Sequence, residues 1–153
     1  MSTLRSLLFA AGLGLLALAA CHEQTTQATQ EAAAPAATGP QCYAHTSATD
    51  TIRLTLQTTQ PTVTGQLTYH YYEKDRNQGT ISGTMHGDTL LADYTFQSEG
   101  TTSVRQVAFL RRDIGFIEGF GPVAERGGKM IFEKTSALQY DAKYTLLPVA
   151  CPK

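Results

Sequence analysis

Apolar and polar side chains alternate along most of the chain after residue 50, which is typical of strands with one buried face. In the segment 51–58, for example, Ile52, Leu54 and Leu56 fall on one face and polar side chains fall on the other. Turn-forming residues interrupt the alternation about every ten positions, and no helical periodicity is visible. The pattern therefore predicts an all-β domain.

The turn at Gly87-Asp88 allows the strand register to be checked against the hydrophobic pattern. A two-residue hairpin loop fixes which residues lie opposite one another on the two strands. The pairs expected on one face are Met85 with Leu90, Gly83 with Ala92 and Ile81 with Tyr94. Because the turn and the apolar pattern give the same register, two independent signals predict this hairpin.

The same reasoning predicts about eight strands, in the segments 51–58, 63–72, 80–86, 89–97, 103–111, 114–121, 129–133 and 143–148. Residues 122–128 are expected to form a loop, and residues 136–139 one helical turn. The expected fold is a single small antiparallel meander closed into a barrel, which leaves no free sheet edge. A two-sheet β-sandwich is the alternative.

For one strand, the sequence pattern does not decide which face is buried. In the segment 103–111, Val107 and Phe109 compete with Val104, Ala108 and Leu110 for the buried side. A β-bulge would reconcile the two patterns.

The N-terminal residues have a different composition. Arg5 precedes an uncharged run from Leu7 to Ala20, which ends in small residues before Cys21. This order is typical of a secretory signal peptide, and the run is shorter than the roughly twenty apolar residues of a spanning helix. The segment Leu18-Ala19-Ala20-Cys21 resembles a lipobox, the cleavage and lipidation site of bacterial lipoproteins. The resemblance implies that residues 1–20 are a cleaved signal peptide and that Cys21 carries the lipid.

Lipoproteins of this type typically carry three acyl chains, palmitate among them, so the resemblance implies stable membrane attachment through Cys21. His22, and not an aspartate, follows the cysteine. By analogy with enterobacterial sorting, this favours the outer membrane within the cell envelope. Residues 21–40 are rich in Gln, Thr and Ala and are expected to form a flexible, disordered linker before the β domain of residues 41–153.

With Cys21 assigned to the lipid, Cys42 and Cys151 remain, near the two ends of the predicted domain. An exported protein meets an oxidising environment, so a disulfide between them is expected. The bond would close a loop of about 110 residues, for which the chain-entropy model gives a stabilisation of about 4.7 kcal/mol.

Charge and motifs restrict the function. The chain has 12 basic and 13 acidic residues and no basic run, which argues against a nucleic-acid partner. No GxSxG, HExxH or glycine-rich phosphate loop is present, so no catalytic residue and no cofactor are predicted. No metal site is predicted either, because His70 and His86 are expected to lie too far apart to share an ion.

The segment Tyr69-His70-Tyr71-Tyr72 is the most aromatic part of the chain. Alternation places Tyr69 and Tyr71 inside the barrel, and Tyr94 also faces inward. These three tyrosines are the candidate ligand-binding residues, although aromatic side chains are also ordinary components of strands.

Glu118 is the one acidic residue in phase with apolar neighbours. Unless the strand flips there, its carboxyl group is expected inside the barrel. The arginines at 105, 111 and 112 are candidates for an ion pair with it, and such a buried pair is more often structural than catalytic.

Residues from about 72 to 121 resemble a family of small uncharacterised bacterial envelope lipoproteins. The resemblance rests on Tyr72-Glu73-Lys74-Asp75, Gly87-Asp88-Thr89, the segment 93–100 and Val104-Arg105. The family carries no known activity, so the resemblance implies none. The expected protein is a lipid-anchored envelope protein with a non-catalytic binding or interaction module and an unknown protein or small-molecule partner.

Two alternatives stay open. One is an inhibitor of a cell-wall or proteolytic enzyme, because small lipid-anchored lysozyme inhibitors share the plan of anchor, barrel and disulfide. The other is a lipocalin-like carrier of a small apolar ligand. A cavity inside the barrel would favour the carrier, and a filled barrel with a protruding polar loop would favour a protein partner.

Overall fold

The structure is a computed structural model that describes residues 39–152, except for residues 75 and 99 and the side chain of Ser98. The predicted signal peptide, the candidate lipid-attachment residue Cys21 and the predicted linker before residue 39 lie outside the described residues. The described residues form ten strands: β1 (Gln41–Thr46), β2 (Thr51–Thr58), β3 (Val63–His70), β4 (Asn77–His86), β5 (Thr89–Ser98), β6 (Thr101–Arg112), β7 (Gly115–Phe120), β8 (Val123–Arg126), β9 (Lys129–Phe132) and β10 (Gln139–Val149). Within the described part, no helix is long and apolar enough to cross a membrane.

Eight of these strands close into an antiparallel barrel, which confirms the predicted fold class over the two-sheet sandwich. β1 to β7 follow one another around the wall. β10 then fits between β7 and β1 and completes the circle. β8 and β9 form a separate hairpin, which pairs with the wall through a short parallel contact between β9 and β6.

The β4–β5 hairpin has the predicted register, with Met85 opposite Leu90 and Ile81 opposite Tyr94. Gly87 has a φ of 61°, the positive value that a two-residue hairpin turn needs at its first central position. Arg111 holds the turn from β6, because its guanidinium donates to the Asp88 carboxylate at 3.0 Å.

Two strands were not expected from the sequence. β1 is a short strand of mixed composition that pairs with both β2 and β10, so its neighbours determine its conformation. β8 lies in the segment 122–128, for which a loop was predicted, and this prediction was wrong. Its four residues contain too few alternations to be recognised, and its partner β9 stabilises it. The helical turn is a 3₁₀ turn at Thr135–Ala137, slightly earlier than expected.

The inner face of β6 is now determined. Val107 and Phe109 lie opposite Ala92 and Leu90 of β5 and belong to the core, and the β5–β6 register continues without a bulge. Ala108 is buried on the outer face of the wall, where it lies opposite Gly119. Val104 and Leu110, on the same outer face, are half-buried, so this face is partly covered and the sequence pattern was ambiguous.

The core fills the barrel, and its largest fully buried side chains include Tyr69, Tyr94, Phe109 and Leu54. Cys42 and Cys151 form the predicted disulfide, with their Cα atoms 5.2 Å apart. The bond joins β1 to the segment that follows β10, so it connects the two ends of the domain.

Candidate functional site

The interior of the barrel brings the three candidate tyrosines together. The Tyr69 ring lies 5.7 Å from that of Tyr71 and 5.8 Å from that of Tyr94, measured between centroids. Phe96 stacks on Tyr94 at 4.7 Å. Tyr69 and Tyr94 are at most 1% exposed, so these rings occupy the interior of the barrel.

Glu118 faces this cluster from β7, as the strand alternation predicted. The carboxyl group is almost fully buried, at 3% exposure. The Tyr69 hydroxyl donates a hydrogen bond of 2.5 Å to its Oε1 atom, whereas Oε2 is buried without a partner. A buried carboxyl oxygen that lacks a partner is unusual, because nearly all buried polar atoms in proteins are hydrogen-bonded.

Arg105 is the candidate arginine whose side chain lies in the same aromatic cluster as Glu118. It lies opposite Tyr94 on the inner face of β6, and its guanidinium carbon is 4.9 Å from the centroid of the Tyr69 ring. The rings of Tyr94 and Phe96 lie 5.6 and 5.7 Å from the same atom. These are cation–π distances, so aromatic faces surround the guanidinium.

The candidate ion pair between Arg105 and Glu118 is not formed. No Arg105 nitrogen lies within 4.0 Å of a Glu118 carboxyl oxygen, so the two side chains form none of the ion pairs of the described residues. Arg105 takes part in none of the side-chain hydrogen bonds of this part of the chain, and its Nε atom is buried without a partner. Arg111, another candidate, binds Asp88 at the surface.

Burial dominates the electrostatics of the cluster. It raises the pKa of Glu118 from 4.5 to about 7, although the Tyr69 hydrogen bond and the Arg105 charge oppose the change. Burial also raises the pKa of Tyr71 and of Tyr94 to about 12, and that of Tyr69 well above its ordinary value. Near neutral pH the tyrosines are therefore neutral, and Glu118 is the group that exchanges its proton.

A pocket opens where β6 and β7 separate. The two strands pair from Arg112 and Gly115 as far as Ala108 and Gly119, and the earlier part of β6 pairs with β9 instead. The β8–β9 hairpin lies over the resulting gap and borders a partly open pocket of about 280 Å³, which we call the hairpin pocket. Arg105 and Glu118 are the charged residues that line it. Its apolar lining comes from Val107, Phe120, Val123, Met130 and Phe132.

Two polar contacts hold the hairpin over this gap. The backbone N–H of Phe132 donates to the Gln106 side chain at 3.1 Å, and Lys129 forms an ion pair with Asp93 of β5. Within the hairpin, the backbone N–H of Glu133 donates to the carbonyl of Pro122 at 3.0 Å. The pocket is thus part of the folded wall.

None of the three candidate tyrosines lines the hairpin pocket. Tyr69 and Tyr94 lie against the Arg105 guanidinium, and Tyr69 also hydrogen-bonds to Glu118. Sequence reasoning identified Glu118 but did not assign Arg105 to the interior. The signal was present, because Arg105 is in phase with Val107 and Phe109. The hairpin side chains carried no such signal.

The described residues include no group of three or more His, Cys, Asp or Glu side chains placed to hold a metal ion. No protein-family model, curated protein or solved structure matches the chain.

Proposed function

We propose that the protein is a lipid-anchored protein of the cell envelope, attached to the outer membrane through Cys21, whose barrel is a non-catalytic binding module. Its ligand is a small molecule that occupies the hairpin pocket. One observation carries the second part of the proposal: Glu118 and Arg105, the charged residues that line a mainly apolar pocket, each have a buried polar atom without a partner. The Tyr94 hydroxyl, in the cluster behind them, is also buried without a partner.

The composition of the pocket is that of a small-molecule site. Such sites combine apolar walls with a few convergent polar groups, and residues with displaced pKa values cluster in them. A buried polar atom without a partner lowers the free energy of unfolding by about 1–3 kcal/mol. Two such atoms on residues that line one pocket therefore suggest that a ligand supplies the missing partners. A bound ligand that pairs with them would recover that free energy.

The filled interior argues against a lipocalin-like carrier with its ligand at the centre of the barrel. The residues that line the hairpin pocket include no serine, threonine, cysteine or histidine, so it offers no ordinary nucleophile. Glu118 already binds Tyr69, and among the described residues no second acid lines the pocket. Binding without chemistry is the simplest use of this pocket.

The anchor is supported by the sequence alone. A positively charged start, an apolar run and small residues before Cys21 match the order of a lipoprotein signal, and a polar segment follows at once. A domain held at the membrane by a polar linker is well placed to sample solutes of the envelope.

Native mass spectrometry of the full-length chain, extracted from membranes, tests the binding proposal. We expect a retained small molecule on the wild type and its loss from Val123→Trp, because Val123 lines the pocket and is 43% exposed, so a larger ring can fill the space without entering the core. The matched control is Ile114→Trp, at a turn residue that is 71% exposed and distant from the pocket lining. Equal retention by both variants, or a stoichiometric protein in place of a small molecule, would contradict the proposal.

A further inference from the structure

We propose that the ligand of the hairpin pocket is a small carboxylic acid, bound as its carboxylate between the Arg105 guanidinium and the Glu118 carboxyl group. Its apolar body lies against the hairpin side chains. This inference rests on the function proposed above and specifies the chemical class of its ligand.

Arg105 provides the positive charge. Its guanidinium is planar and carries five N–H donors, a geometry that suits the two oxygens of a carboxylate. The rings of Tyr69 and Tyr94 lie against it within cation–π distance and fix its position, yet they use none of its donors. The guanidinium is therefore held in place with its hydrogen-bonding capacity still available.

Glu118 provides a proton. The Tyr69 hydroxyl already donates to Oε1, so the neutral acid carries its own proton on Oε2, the atom without a partner. An O–H group of this kind donates well to a carboxylate, and charge-assisted bonds of this type are short and strong. A bound anion also disfavours ionisation of Glu118, so ligand and proton bind together.

Other ligand classes fit less well. A cationic ligand would meet Arg105, which already occupies the aromatic faces that would attract it. A doubly charged anion would place two negative charges beside Glu118 with a single cation to balance them. A neutral apolar molecule would leave both buried polar atoms unpaired. A ligand with one negative charge and an apolar body avoids all three problems. It is not repelled by Arg105, its single charge is balanced by that guanidinium, and its carboxylate can pair with the buried polar atoms.

The volume limits the size of the ligand. An apolar cavity of roughly 150 Å³ admits benzene, so a pocket of about 280 Å³ admits a body of roughly ten to twelve non-hydrogen atoms. Octanoate has ten, and 1-octanol presents a similar chain without the carboxylate. Comparing the affinities of octanoate and 1-octanol separates the contribution of the carboxylate charge from that of the apolar chain.

Isothermal titration calorimetry of the full-length chain in phospholipid nanodiscs, with empty nanodiscs as the blank, tests the inference. At pH 6 we expect octanoate to bind at least tenfold more tightly than 1-octanol. Arg105→Gln should weaken octanoate binding at least tenfold. Arg111→Gln, which removes an exposed arginine outside the pocket, should leave the affinity unchanged.

The pH dependence gives a second readout. The groups that face Glu118 are Tyr69, Tyr71, Tyr94 and Arg105, and only Glu118 exchanges a proton near neutrality. With a pKa of about 7, the protonated fraction of Glu118 falls about tenfold between pH 6 and pH 8. The affinity for octanoate should fall by the same factor in the wild type and stay constant in Glu118→Gln.

The outcomes separate the two proposals. Equal binding of octanoate and 1-octanol to the wild type would overturn the carboxylate assignment, whether or not Arg105→Gln folds. Failure of octanoate to bind would also overturn it. A small molecule that the wild type retains and Val123→Trp loses would still support the pocket itself, whereas loss of that difference would refute the proposed function.

Discussion

Replacing Glu118 by glutamine should change how the stability of the domain depends on pH. The carboxyl group has a pKa of about 7 in the folded protein and an ordinary value of 4.5, and its burial is the main cause. Each unit of pKa difference corresponds to 1.36 kcal/mol, so Glu118 should lower the free energy of unfolding by about 3 kcal/mol at high pH. Glutamine keeps the shape of the side chain and cannot ionise.

The sign follows from which state holds the proton more tightly. Below pH 4.5, Glu118 is protonated in both the folded and the unfolded chain, and its contribution to stability is fully present. Between pH 4.5 and about pH 7 the unfolded chain releases the proton while the folded chain keeps it, so the free energy of unfolding falls as pH rises. Above about pH 7 the loss is complete.

Urea unfolding at pH 4, 5, 6, 7 and 8 measures this effect. Subtracting the free energy of unfolding of Glu118→Gln from that of the wild type cancels the contributions of the other titrating groups. We expect this difference to fall by about 3 kcal/mol between pH 4 and pH 8. Glu125→Gln, which alters an exposed acid on β8, is the matched control. A difference that stays constant with pH would refute the conclusion that Glu118 is buried with a raised pKa.

Three further predictions concern the bonds and the anchor. Cys42→Ser should lower the free energy of unfolding by about 2–5 kcal/mol, measured by urea unfolding, and a reductant should then have no further effect on the variant. Tyr69→Phe removes the hydrogen bond that favours the ionised acid, so the Glu118 pKa should rise above about 7 by carboxyl NMR titration, with a stability loss of about 1–3 kcal/mol; an unchanged pKa would contradict the contact. Cys21→Ser should move the protein from the membrane to the soluble fraction, and a variant that still sediments with membranes would contradict lipidation there.

The sequence was most informative where two signals coincided. In the β4–β5 hairpin, the Gly87-Asp88 turn and the apolar alternation gave one register, and the structure has it. The disulfide was predicted from the oxidising compartment expected for an exported protein and from the cysteine positions near both ends of the domain, and the structure contains it. Glu118 was expected inside the barrel because it is in phase with Phe116, with a flip of the strand left open, and the structure buries it.

The candidate site was less accessible to sequence reasoning. Arg105 was in phase with Val107 and Phe109, but charge normally indicates the solvent face, and Ala108 is buried as well. Recognition of the hairpin pocket required knowing that β6 leaves β7 and pairs with β9, a parallel contact between distant segments. Alternation within a strand carries no information about such a change of partner.

The central claim is that the hairpin pocket is the binding site, and methyl NMR of the full-length chain with added octanoate tests it most directly. We expect chemical-shift changes for the methyl groups of Val107, Val123 and Met130, which line the pocket. Leu91 and Leu138, which line a separate surface pocket of about 340 Å³, should not respond. Changes confined to Leu91 and Leu138, or no changes at all, would contradict the claim.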